Sequence, residues 1–492
     1  MTGEFPYYQL YIDGAWTDGE SSPRESENPA SGESWARFAC AGAGDVSRAV
    51  IAARRALCEG EWPAMSAGAR GKLIFRLADL VESHAEELGA IETADSGKLL
   101  AETTMQTRYV AEYYRYYAGL ADKIEGATLP IDKPDMHVFT LREPIGVVAA
   151  IVPWNAQMFL TATKLAPALA AGCCVILKAS EMAPCVMLAF ARLIEEAGFP
   201  PGVVSVLTGD ADNCSIPLTS HPDVDRIAFT GGPEAARHVV RNSANNFAVT
   251  TLELGGKSPL VVFADADLDN AANGLIAGNF GASGQSCVAA SRGLVERKIL
   301  PSLIHNITEK TRGLVIGDPA DAKTHIGPLC TAAQMERIEE TLAAAESQGA
   351  TIHFGGKKVS GQGRYFPPTL VECPNSQTET MKVEMFGPVM SLTAFDTEDE
   401  AIAIANDTVY GLGSGVFTGD IARAHRVAKR IRAGICWVNT YRAISPMAPF
   451  GGYNCSGYGR ESGQDTVADY TRTKTVWINT SESPMANPFI MR

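Results

Sequence analysis

The sequence predicts an α/β fold built around a doubly wound, mostly parallel sheet. Short apolar, β-branched segments alternate with segments whose apolar residues recur at helical spacing, and a second alternating series follows the first. Glycine or proline lies close to most of the strand-like segments, as is typical of strand ends. With 492 residues, of which 46% are hydrophobic, the chain is long enough to form two or three compact domains.

The first alternating series predicts buried parallel strands. They are Ile145–Val152, Cys174–Leu177, Val203–Leu207, Arg226–Thr230 and Val249–Leu252. Helices are expected between them at Leu160–Ala171, Met187–Ala197 and Pro233–Ala244, the last beginning with a proline that suits a first helical position. Strand, helix and strand repeated in this order give a sheet whose ligands bind at the carboxyl ends of its strands.

A second α/β series runs from Pro259 to Asn439. Its strands are predicted at Leu260–Phe263, Leu294–Glu296, Val389–Phe395 and Ile435–Asn439, and its helices at Thr331–Gln348 and Thr418–Ile431. The segments Lys123–Arg142 and Tyr470–Asn479 lie outside both series and are predicted to form strands of a separate element. Apolar, strand-rich edges of this kind commonly pair with another subunit.

Charge and cysteine content narrow the function classes. The net charge of -14 argues against nucleic acid or an anionic membrane surface as the main partner. The eleven cysteines are irregularly spaced and the eight histidines are scattered, so we expect reduced thiols and no metal site. The amino terminus has no signal-like pattern, and no segment approaches the length of an apolar membrane span, so we expect a cytoplasmic protein.

Two polar segments directly follow predicted strands. Asn155 comes after the strand that ends at Val152, where its amide can face a cleft or cap a helix. In "LKASE", Lys178 and Glu181 follow the next strand. A lysine donor and a carboxylate acceptor at that spacing can bracket the hydroxyls of a ribose, or they can form an exposed charged turn. Either segment alone leaves both readings open.

Two further predicted strand ends carry groups suited to ligand binding or catalysis. In "FTGGPEAA", a strand leads through Gly231 and Gly232 into a helix that begins with proline, which leaves backbone N–H groups free for a phosphate. The segment lacks the GxGxxG pattern of dinucleotide sites. In "LELGGKSP", Glu253 stands between leucines, so its pKa should be raised toward the range of a general base; the alternative is a partly buried carboxylate paired with a backbone amide.

The stretch "GASGQSCVAASR" contains a candidate nucleophile, Cys287. It follows Gly284, Gln285 and Ser286, so its surroundings are polar and its backbone can turn sharply, whereas most other cysteines lie in apolar segments. A thiol with a pKa of about 8.5 is only a few per cent thiolate at neutral pH. We therefore expect a nearby dipole or cation to lower the pKa of Cys287, if this residue is more than an ordinary thiol.

These five segments occur together with "MKVEMFGPVM" and "PFGGYNCSGYGRESG" in the order and form of the aldehyde dehydrogenase superfamily. The resemblance extends over nearly the whole chain, from "YIDGAW" to "YTRTKTVWI". It implies a three-part α/β fold: a Rossmann-like NAD-binding domain at residues 1–121 and 145–255, an α/β catalytic domain at 256–455, and a β-strand oligomerisation arm at 122–144 and 468–492. It also implies a homodimer or homotetramer.

The resemblance assigns catalytic roles. Cys287 matches the nucleophile that attacks the aldehyde, and Asn155 matches the amide that holds the oxyanion, together with the backbone N–H of Cys287. Lys164 matches a lysine near that amide, and Glu253 matches the base that activates water to hydrolyse the thioester. The branch that transfers the acyl group to coenzyme A lacks this glutamate, so a free carboxylic acid is the expected product.

For the cofactor, the resemblance implies NAD. Lys178 and Glu181 match a clamp on the adenosine ribose, and a glutamate there repels a 2′-phosphate, although some relatives that keep it also accept NADP. Gly232 stands where many relatives have a serine. Glu384 and Phe386 match residues that hold the nicotinamide ribose and ring. The remaining residues implied at the cofactor site are Val152, Pro153, Trp154, Ser180, Gly209, Phe229, Thr230, Gly231 and Leu254.

The substrate pocket is the least determined part. Many relatives have large aromatic residues at the positions of Ala156 and Thr163, so a wide tunnel for a bulky or aromatic aldehyde is expected. Its other expected lining residues are Tyr109, Phe159, Ser286, Val288, Ile444 and Phe450. Arg442 is expected either to pair with the carboxylate of a semialdehyde or to pair with an acidic residue of a neighbouring subunit. Cofactor-independent thioester or ester hydrolysis, and a non-catalytic scaffold, are the other hypotheses.

Overall fold

Residues 5–485 and 487–490 are described by the computed structural model, and they fold around four β-sheets. The strands, in chain order, are β1 (Tyr7–Tyr8), β2 (Leu10–Ile12), β3 (Ala15–Thr17), β4 (Ser21–Asn28), β5 (Glu33–Cys40), β6 (Met136–Pro144), β7 (Val147–Ile151), β8 (Cys174–Ala179), β9 (Val204–Thr208), β10 (Arg226–Thr230), β11 (Val249–Glu253), β12 (Pro259–Val262), β13 (Arg292–Glu296), β14 (Thr351–Phe354), β15 (Thr369–Glu372), β16 (Val389–Phe395), β17 (Gly415–Phe417), β18 (Trp437–Val438), β19 (Gly457–Tyr458) and β20 (Thr471–Asn479).

The α-helices connect and cover these strands. They are α1 (Ala43–Cys58), α2 (Glu61–Ala64), α3 (Ala67–Ser83), α4 (Ala85–Ser96), α5 (Leu100–Leu120), α6 (Gln157–Ala171), α7 (Cys185–Ala197), α8 (Ile216–Ser220), α9 (Pro233–Ser243), α10 (Leu268–Phe280), α11 (Leu300–Thr311), α12 (Ala332–Ser347), α13 (Glu379–Lys382), α14 (Glu398–Asn406), α15 (Ile421–Arg430) and α16 (Thr466–Asp469). No helix within the described ranges has both the length and the apolar character needed to cross a membrane.

The largest sheet has the strand order β19-β11-β10-β7-β8-β9-β2-β3, and its five central strands are parallel. The predicted strands and helices of the first series are confirmed, with ends shifted by a few residues. From β7 the chain proceeds outward through β8 and β9, then returns to the other side of β7 to add β10 and β11. Strand order therefore reverses between β7 and β10, which is where ligands bind in doubly wound sheets.

The second large sheet has the order β14-β15-β16-β13-β12-β17-β18, and all of its neighbouring strands are parallel except the β14–β15 pair. The strands and helices predicted for the second series are also confirmed. A short connection, residues 254–258, leads from the carboxyl end of β11 to the start of β12. Cys287 lies before β13 and Glu384 lies before β16, so both belong to the amino-terminal edge of this sheet.

Burial explains why the central strands could be predicted. Every residue of β7, β8, β9 and β10 is buried, and the helix α6 is buried along nearly its whole length. A parallel strand covered by helices on both faces is a continuous apolar segment, and this is the pattern that the sequence shows. The α/β fold class is therefore confirmed, with the parallel core of the first sheet as its centre.

The two outlying segments form a ribbon. Strands β6 and β20 have nine residues each and pair antiparallel, from Thr471 opposite Pro144 to Asn479 opposite Met136. The predicted separate strand element is thus present, and its apolar side chains Leu141, Trp477 and Ile478 are exposed. Residues 1–4, 486 and 491–492, which belong to the expected cofactor domain and arm, lie outside the described residues.

Candidate active site

A cavity of about 520 Å³ lies between the carboxyl edge of the first sheet and the amino edge of the second. Many of the residues predicted for the catalytic and cofactor sites line it: Pro153, Trp154, Asn155, Thr230, Gly231, Gly232, Glu253, Leu254, Cys287, Glu384 and Phe386. These residues come from five separate parts of the chain. The fold therefore gathers the predicted thiol, carboxylate and amide groups into one cleft.

Asn155 follows β7, and its side chain does not cap a helix. The cap position of α6 is Ala156, which makes no side-chain cap hydrogen bond. Instead, Asn155 Nδ2 donates to the backbone carbonyl of Gln285, 3.1 Å away, in the loop that carries Cys287. Because a side-chain amide has two N–H donors, one hydrogen bond fixes its orientation and leaves the second N–H for another acceptor. The helix-cap interpretation of Asn155 is therefore wrong.

Cys287 is half-buried on the cavity wall, after an unusual turn. Ala282 and Ser283 both have φ of 53°, and Gly284 has φ of 74°, so three successive residues have left-handed backbone conformations. A Cβ atom at Gly284 would also collide with the backbone of Gly387. Only glycine fits there, because the loop passes so close to the segment that contains Glu384 and Phe386.

The electrostatic surroundings of Cys287 differ from the expectation. Burial raises the pKa of its thiol to about 12, and the carboxylates of Glu384 and Glu253 act in the same direction. The guanidinium of Arg442 lowers this pKa, but its effect is smaller. The expectation of a lowered thiol pKa is therefore wrong for this structure, because burial disfavours the thiolate and the two carboxylates add to that effect. The thiol carries its proton at neutral pH, and the thiolate must form during the reaction.

Glu253 ends β11 and is 2% exposed. Neither of its carboxylate oxygens has a hydrogen-bond partner among the described residues, so the alternative of a backbone-paired carboxylate is wrong. Burial raises its pKa well above the usual value, and the negative charge of Glu461 raises it further, whereas Lys164 and Arg460 lower it. The predicted rise in the pKa of Glu253 is confirmed, and the raised pKa makes this carboxylate a stronger proton acceptor than an ordinary glutamate.

The amine of Lys164 is held by two buried side chains. It forms a buried ion pair with Glu461 and donates to Thr230 Oγ1 at 2.6 Å; it does not bond to the amide of Asn155. Thr163 also donates to Glu461, at 2.8 Å, and is 2% exposed, so its side chain serves this buried network and does not widen a substrate tunnel. Glu461 was not predicted as a site residue, although it lies in the quoted segment "PFGGYNCSGYGRESG".

The predicted ribose clamp lies one strand away from the cavity. Lys178, at the end of β8, forms an ion pair with Glu181, with 2.9 Å between Nζ and Oε2. Val152 donates its backbone N–H to the carbonyl of Lys178, which ties the two strand ends together. Ser180 accepts a hydrogen bond from the backbone of Met182. Gly209 follows the adjacent strand β9, so these groups form one polar edge beside the cavity.

The two glycines that precede α9 have different surroundings. A Cβ at Gly231 would collide with the ring of Phe229, whereas a Cβ at Gly232 would have no atom within 4 Å. The open space at Gly232 would accept the serine found in many relatives. Gly232 and Pro233 border the cavity at the start of α9, where the helix dipole favours an anion. Proline has no N–H, and the N–H of Gly231 donates to the carbonyl of Glu253 at 3.1 Å, which leaves the N–H of Gly232 for an anion.

On the opposite wall, Glu384 accepts a hydrogen bond from the backbone N–H of Gly256 at 2.8 Å, and burial raises its pKa to about 7. The ring of Phe386 contacts Trp154 edge to face, with centroids 5.5 Å apart. Other lining residues of the cavity, which the sequence reasoning missed, are Leu160, Gly255, Thr331, Ala333, Gln334, Arg337 and Met385. Thr331 and Gln334 form a capping box at the start of α12, which is a recognisable sequence signal that was not used.

The predicted substrate residues fall into two groups. Tyr109 donates to the carbonyl of Ile444 at 2.9 Å, and Phe159 packs edge to face on Tyr113 beside half-buried Ala156, while Phe450 packs in a cluster with Cys287. Val288 belongs to the same cluster as Phe450 and Cys287, whereas Ser286 lies outside it. Val288 is packed against Leu412 and Trp437, and Ser286 lines a small separate cavity with Lys257.

Arg442 has φ of 63° and donates from Nη1 to the carbonyl of Ala277 at 3.1 Å. Within the part of the chain that the structure describes, no acidic side chain forms an ion pair with it. Its charge is close enough to lower the pKa of Cys287, so Arg442 lies near the nucleophile.

A sequence profile of the Aldehyde dehydrogenase family matches residues 16–476. The chain is 54% identical over 486 residues to (Z)-2-((N-methylformamido)methylene)-5-hydroxybutyrolactone dehydrogenase of Acinetobacter baylyi, with 99% of each chain covered. Among solved structures, betaine aldehyde dehydrogenase of Staphylococcus aureus in complex with NAD⁺ has a TM-score of 0.95 or above at 36% identity, and covers 99% of this chain and 97% of its own.

An NAD⁺ complex of the aldehyde dehydrogenase of Bacillus cereus gives a TM-score of 0.94 at 37% identity, with 96% of this chain and 97% of that chain covered. The sequence profile, the relative and the solved structures agree over nearly the whole length, and the two solved structures share the fold described above. The chain therefore belongs to the aldehyde dehydrogenase family and is an oxidoreductase of the class that acts on aldehydes.

Proposed function

We propose that the protein oxidises an aldehyde to the free carboxylic acid, with NAD as hydride acceptor, through a thioester on Cys287. The observation that carries this proposal is the convergence of Cys287, Asn155 and Glu253 on one cavity. A nucleophile, an amide donor and an unpaired buried carboxylate are the groups that acyl chemistry of this kind requires. Because these three residues are far apart in the sequence, a purely structural role does not explain why they meet in one cavity.

The residues present fit NAD. Glu384 and Phe386 line the cavity opposite Trp154, the start of α9 offers backbone donors for a pyrophosphate, and Lys178 with Glu181 offers a donor and an acceptor for ribose hydroxyls. When bound, the cofactor supplies a nicotinamide ring that accepts the hydride. The NAD⁺ complexes of the Staphylococcus and Bacillus enzymes support the choice of this nucleotide.

The first half of the reaction forms a bond between Cys287 Sγ and the aldehyde carbon. The thiol gives up its proton, for which the carboxylate of Glu253 is the acceptor favoured by its raised pKa. The carbonyl oxygen becomes an oxyanion that Asn155 Nδ2 and the backbone N–H of Cys287 stabilise; loss of one such donor typically costs about 3 to 4 kcal/mol in barrier height. Loss of a hydride from the resulting thiohemiacetal leaves a thioester on Cys287.

The second half is hydrolysis. Glu253 first releases to solvent the proton that it took from the thiol, and then takes a proton from a water molecule as the hydroxide attacks the thioester carbon. The carbon–sulfur bond breaks to release the acid, and the Cys287 thiolate takes back the proton that Glu253 now holds. The lack of a hydrogen-bond partner leaves both carboxylate oxygens of Glu253 available for this task. The presence of Glu253 favours the acid as product over an acyl-coenzyme A.

For the substrate, we propose a bulky aldehyde. Small Ala156 lies next to Asn155, and the aromatic rings of Tyr109, Phe159 and Phe450 offer apolar walls on the side of Cys287. Thr163 does not support a wide tunnel, because its hydroxyl donates a hydrogen bond to Glu461. The multiply substituted substrate in the name of the Acinetobacter relative supports a pocket larger than a short aliphatic aldehyde requires.

A carboxylated semialdehyde is a second candidate, favoured by one observation. The name of the Acinetobacter relative contains a 5-hydroxybutyrolactone, which is the ring-closed form of a 4-oxo acid that carries both an aldehyde and a carboxylate. Arg442 lies near Cys287 without an acidic partner among the described residues, so its guanidinium is available to a substrate carboxylate. We propose that Arg442 holds this carboxylate when the ring-opened substrate binds.

A panel of aldehydes tests these proposals. Aliphatic, aromatic and carboxylated aldehydes are compared by NADH or NADPH formation with each nucleotide and with none. Preference for aromatic or branched aldehydes supports the bulky pocket, and a strong preference for short aliphatic ones contradicts it. Hydrolysis of an added activated ester without nucleotide, with no NADH from any aldehyde, would favour thioester or ester hydrolysis, and no turnover of either kind would favour a scaffold.

A comparison of two arginine variants tests the role of Arg442. Arg442→Gln should lower kcat/KM for 4-oxo acids by about tenfold or more and leave neutral aldehydes of similar size almost unchanged, since a lost charged hydrogen bond is worth roughly 1.5 to 3 kcal/mol. Arg423, which is paired with Asp265 away from the cavity, provides the matched control Arg423→Gln. Equal loss for both substrate classes would contradict a carboxylate-binding role.

We also propose the organisation of the chain around this site. Residues 1–121 and 145–255 form the NAD-binding domain, and residues 256–455 form the catalytic domain. Residues 122–144 and 468–492 form an arm that joins subunits into a homodimer or homotetramer. The exposed apolar side chains of the β6–β20 ribbon support the arm's role. Sedimentation of the intact chain, compared with a Trp477→Ser and Ile478→Ser variant, tests it.

A further inference from the structure

We propose that Gln285 is a positioning residue that orients the oxyanion-hole amide of Asn155 and links it to the cofactor wall. The inference rests on the proposed aldehyde oxidation. Gln285 is 1% exposed and lies two residues before Cys287, but its side chain does not line the main cavity. It therefore acts through other groups, and its hydrogen bonds identify which ones.

The backbone carbonyl of Gln285 accepts the hydrogen bond from Asn155 Nδ2 at 3.1 Å. A side-chain amide rotates about a soft terminal torsion, so an isolated Asn155 would populate many orientations. With one N–H held by Gln285, the other is directed by the planar geometry of the amide. The position of this one carbonyl therefore determines where the oxyanion donor points.

The side chain of Gln285 fixes that carbonyl. Its Oε1 accepts from the backbone N–H of Cys330 at 2.9 Å and from Gln334 Nε2 at 3.3 Å, and its Nε2 donates to the carbonyl of Pro328 at 3.4 Å. Every polar atom of the side-chain amide thus has a partner in residues 328–334. These contacts anchor the nucleophile loop to a segment more than forty positions further along the chain.

The loop needs such an anchor because its backbone is strained. Ala282 and Ser283 both have φ of 53°, a conformation that costs non-glycine residues energy and persists only where surrounding contacts enforce it. Glu102 accepts from the backbone N–H of Ala282 at 3.0 Å, which holds the start of the turn, and Ser283 bonds to Gly327. Gln285 holds the end of the turn, nearest to Asn155 and Cys287.

The same network reaches the cofactor wall. Gln334 Nε2 also donates to the backbone carbonyl of Phe386 at 2.8 Å, and Gln334 borders the main cavity. One buried chain of hydrogen bonds therefore joins Phe386, Gln334, Gln285 and Asn155. This chain of hydrogen bonds keeps the oxyanion donor at a constant distance from the wall that holds the cofactor. Such a constant distance is needed because the reacting groups must be held close together and aligned.

A double-mutant cycle tests the inference. Gln285→Met has a similar volume and removes all side-chain hydrogen bonds, and Gln285→Glu keeps the acceptor toward Cys330 but loses the donor toward Pro328. Gln285→Met should lower kcat by roughly tenfold to a hundredfold, the effect of a small misplacement of a reacting group. The Kd for NAD, measured by fluorescence titration, should change by less than about threefold.

The decisive comparison uses an Asn155→Ala background. If Gln285 acts by orienting Asn155, Gln285→Met should reduce kcat of Asn155→Ala by less than about threefold, because its target has been removed. Gln285→Glu should retain more activity than Gln285→Met, and it replaces Gln285→Met in the cycle if that variant does not fold. The inference would be overturned if the two losses of kcat multiplied in the double variant. It would also be overturned if the loss of activity were fully explained by a lowered unfolding temperature.

The experiments distinguish failure of the role of Gln285 from failure of the proposed function. If the wild-type protein forms NADH from an aldehyde and the cycle is multiplicative, only the role of Gln285 fails. If the wild-type protein forms no NADH from any aldehyde in the panel, the proposed function itself fails, and with it the inference.

Discussion

Lys164 and Glu461 form an ion pair in which the lysine side chain is fully buried and the glutamate side chain is 3% exposed. Both charges act on the carboxylate of Glu253, and they act in opposite directions. An ion pair removed from water contributes little net stability, because desolvation offsets most of the attraction. Its position beside an unpaired carboxylate indicates that it sets the proton affinity of Glu253.

The first prediction concerns pH. In Glu461→Gln, loss of the negative charge lowers the pKa of Glu253, so the acidic limb of the kcat–pH profile moves to lower pH. In Lys164→Met, loss of the positive charge raises that pKa, and the limb moves to higher pH. Lys358→Met, which breaks the exposed pair with Glu339, should leave the profile unchanged. Shifts of both variants in the same direction would contradict this account.

The same two variants should be less stable. Each leaves one buried charge without its partner, which typically costs about 3 to 5 kcal/mol of unfolding free energy. The profiles are therefore measured below the unfolding temperature of each variant, which differential scanning calorimetry provides.

The second prediction separates the two halves of the reaction. Glu253→Gln keeps the shape of the side chain and removes the base, so steady-state NADH formation should fall by roughly a hundredfold to ten-thousandfold. A rapid-mixing experiment should still give a burst of about one NADH per subunit, formed more slowly than in the wild type, because thioester hydrolysis becomes limiting. A burst that disappears altogether would show that removal of the thiol proton depends wholly on Glu253, and steady-state turnover near the wild-type level would refute its hydrolytic role.

The third prediction concerns nucleotide choice. Glu181→Ser removes the carboxylate beside Lys178 and should raise the ratio of kcat/KM with NADP to that with NAD by about tenfold, equivalent to 1.4 kcal/mol of relieved repulsion. Exposed Glu196 on α7 gives the matched control, since Glu196→Ser removes the same charge without touching Lys178. An unchanged ratio in Glu181→Ser would exclude Glu181 from the ribose site.

The fourth prediction adds a contact. Because a Cβ at Gly232 meets no atom within 4 Å, Gly232→Ser should fold normally and place a hydroxyl at the start of α9. One new hydrogen bond to a phosphate should lower KM for NAD by roughly threefold to tenfold. Gly255→Ser is the contrasting variant, since its Cβ would collide with Glu384 and weaken binding. If KM rises in both variants, the phosphates do not lie near Gly232.

Much of the fold could be predicted because the central strands are buried on both faces. Strands such as β8 are unbroken apolar segments, and α12 has a clear helical period and a cap. The first 121 residues contain β1–β5 and α1–α5, for which no prediction was made. Strand β4, with the sequence SSPRESEN, is mostly exposed and forms because it pairs with β5, which a local pattern does not reveal.

The active site was partly predictable for a different reason. Cys287, Asn155 and Glu253 each stand at the end or edge of a recognisable segment, so the motif and its place in the sheet indicate the residue. Glu461 and Gln334 were missed because their roles depend on contacts across the fold, such as the pairing of Glu461 with a lysine 297 positions earlier. The direction of the thiol pKa was wrong for the same reason, since Glu384 is distant in sequence and adjacent in space.

NADH formation by Cys287→Ala tests the central claim most directly. The measurement uses the best aldehyde of the panel, with Cys436→Ala as the control because Cys436 is another half-buried thiol. The account predicts that Cys287→Ala lowers turnover by more than about a thousandfold while the Kd for NAD stays within about threefold of the wild type, and that Cys436→Ala remains active. Substantial NADH formation by Cys287→Ala would contradict the account.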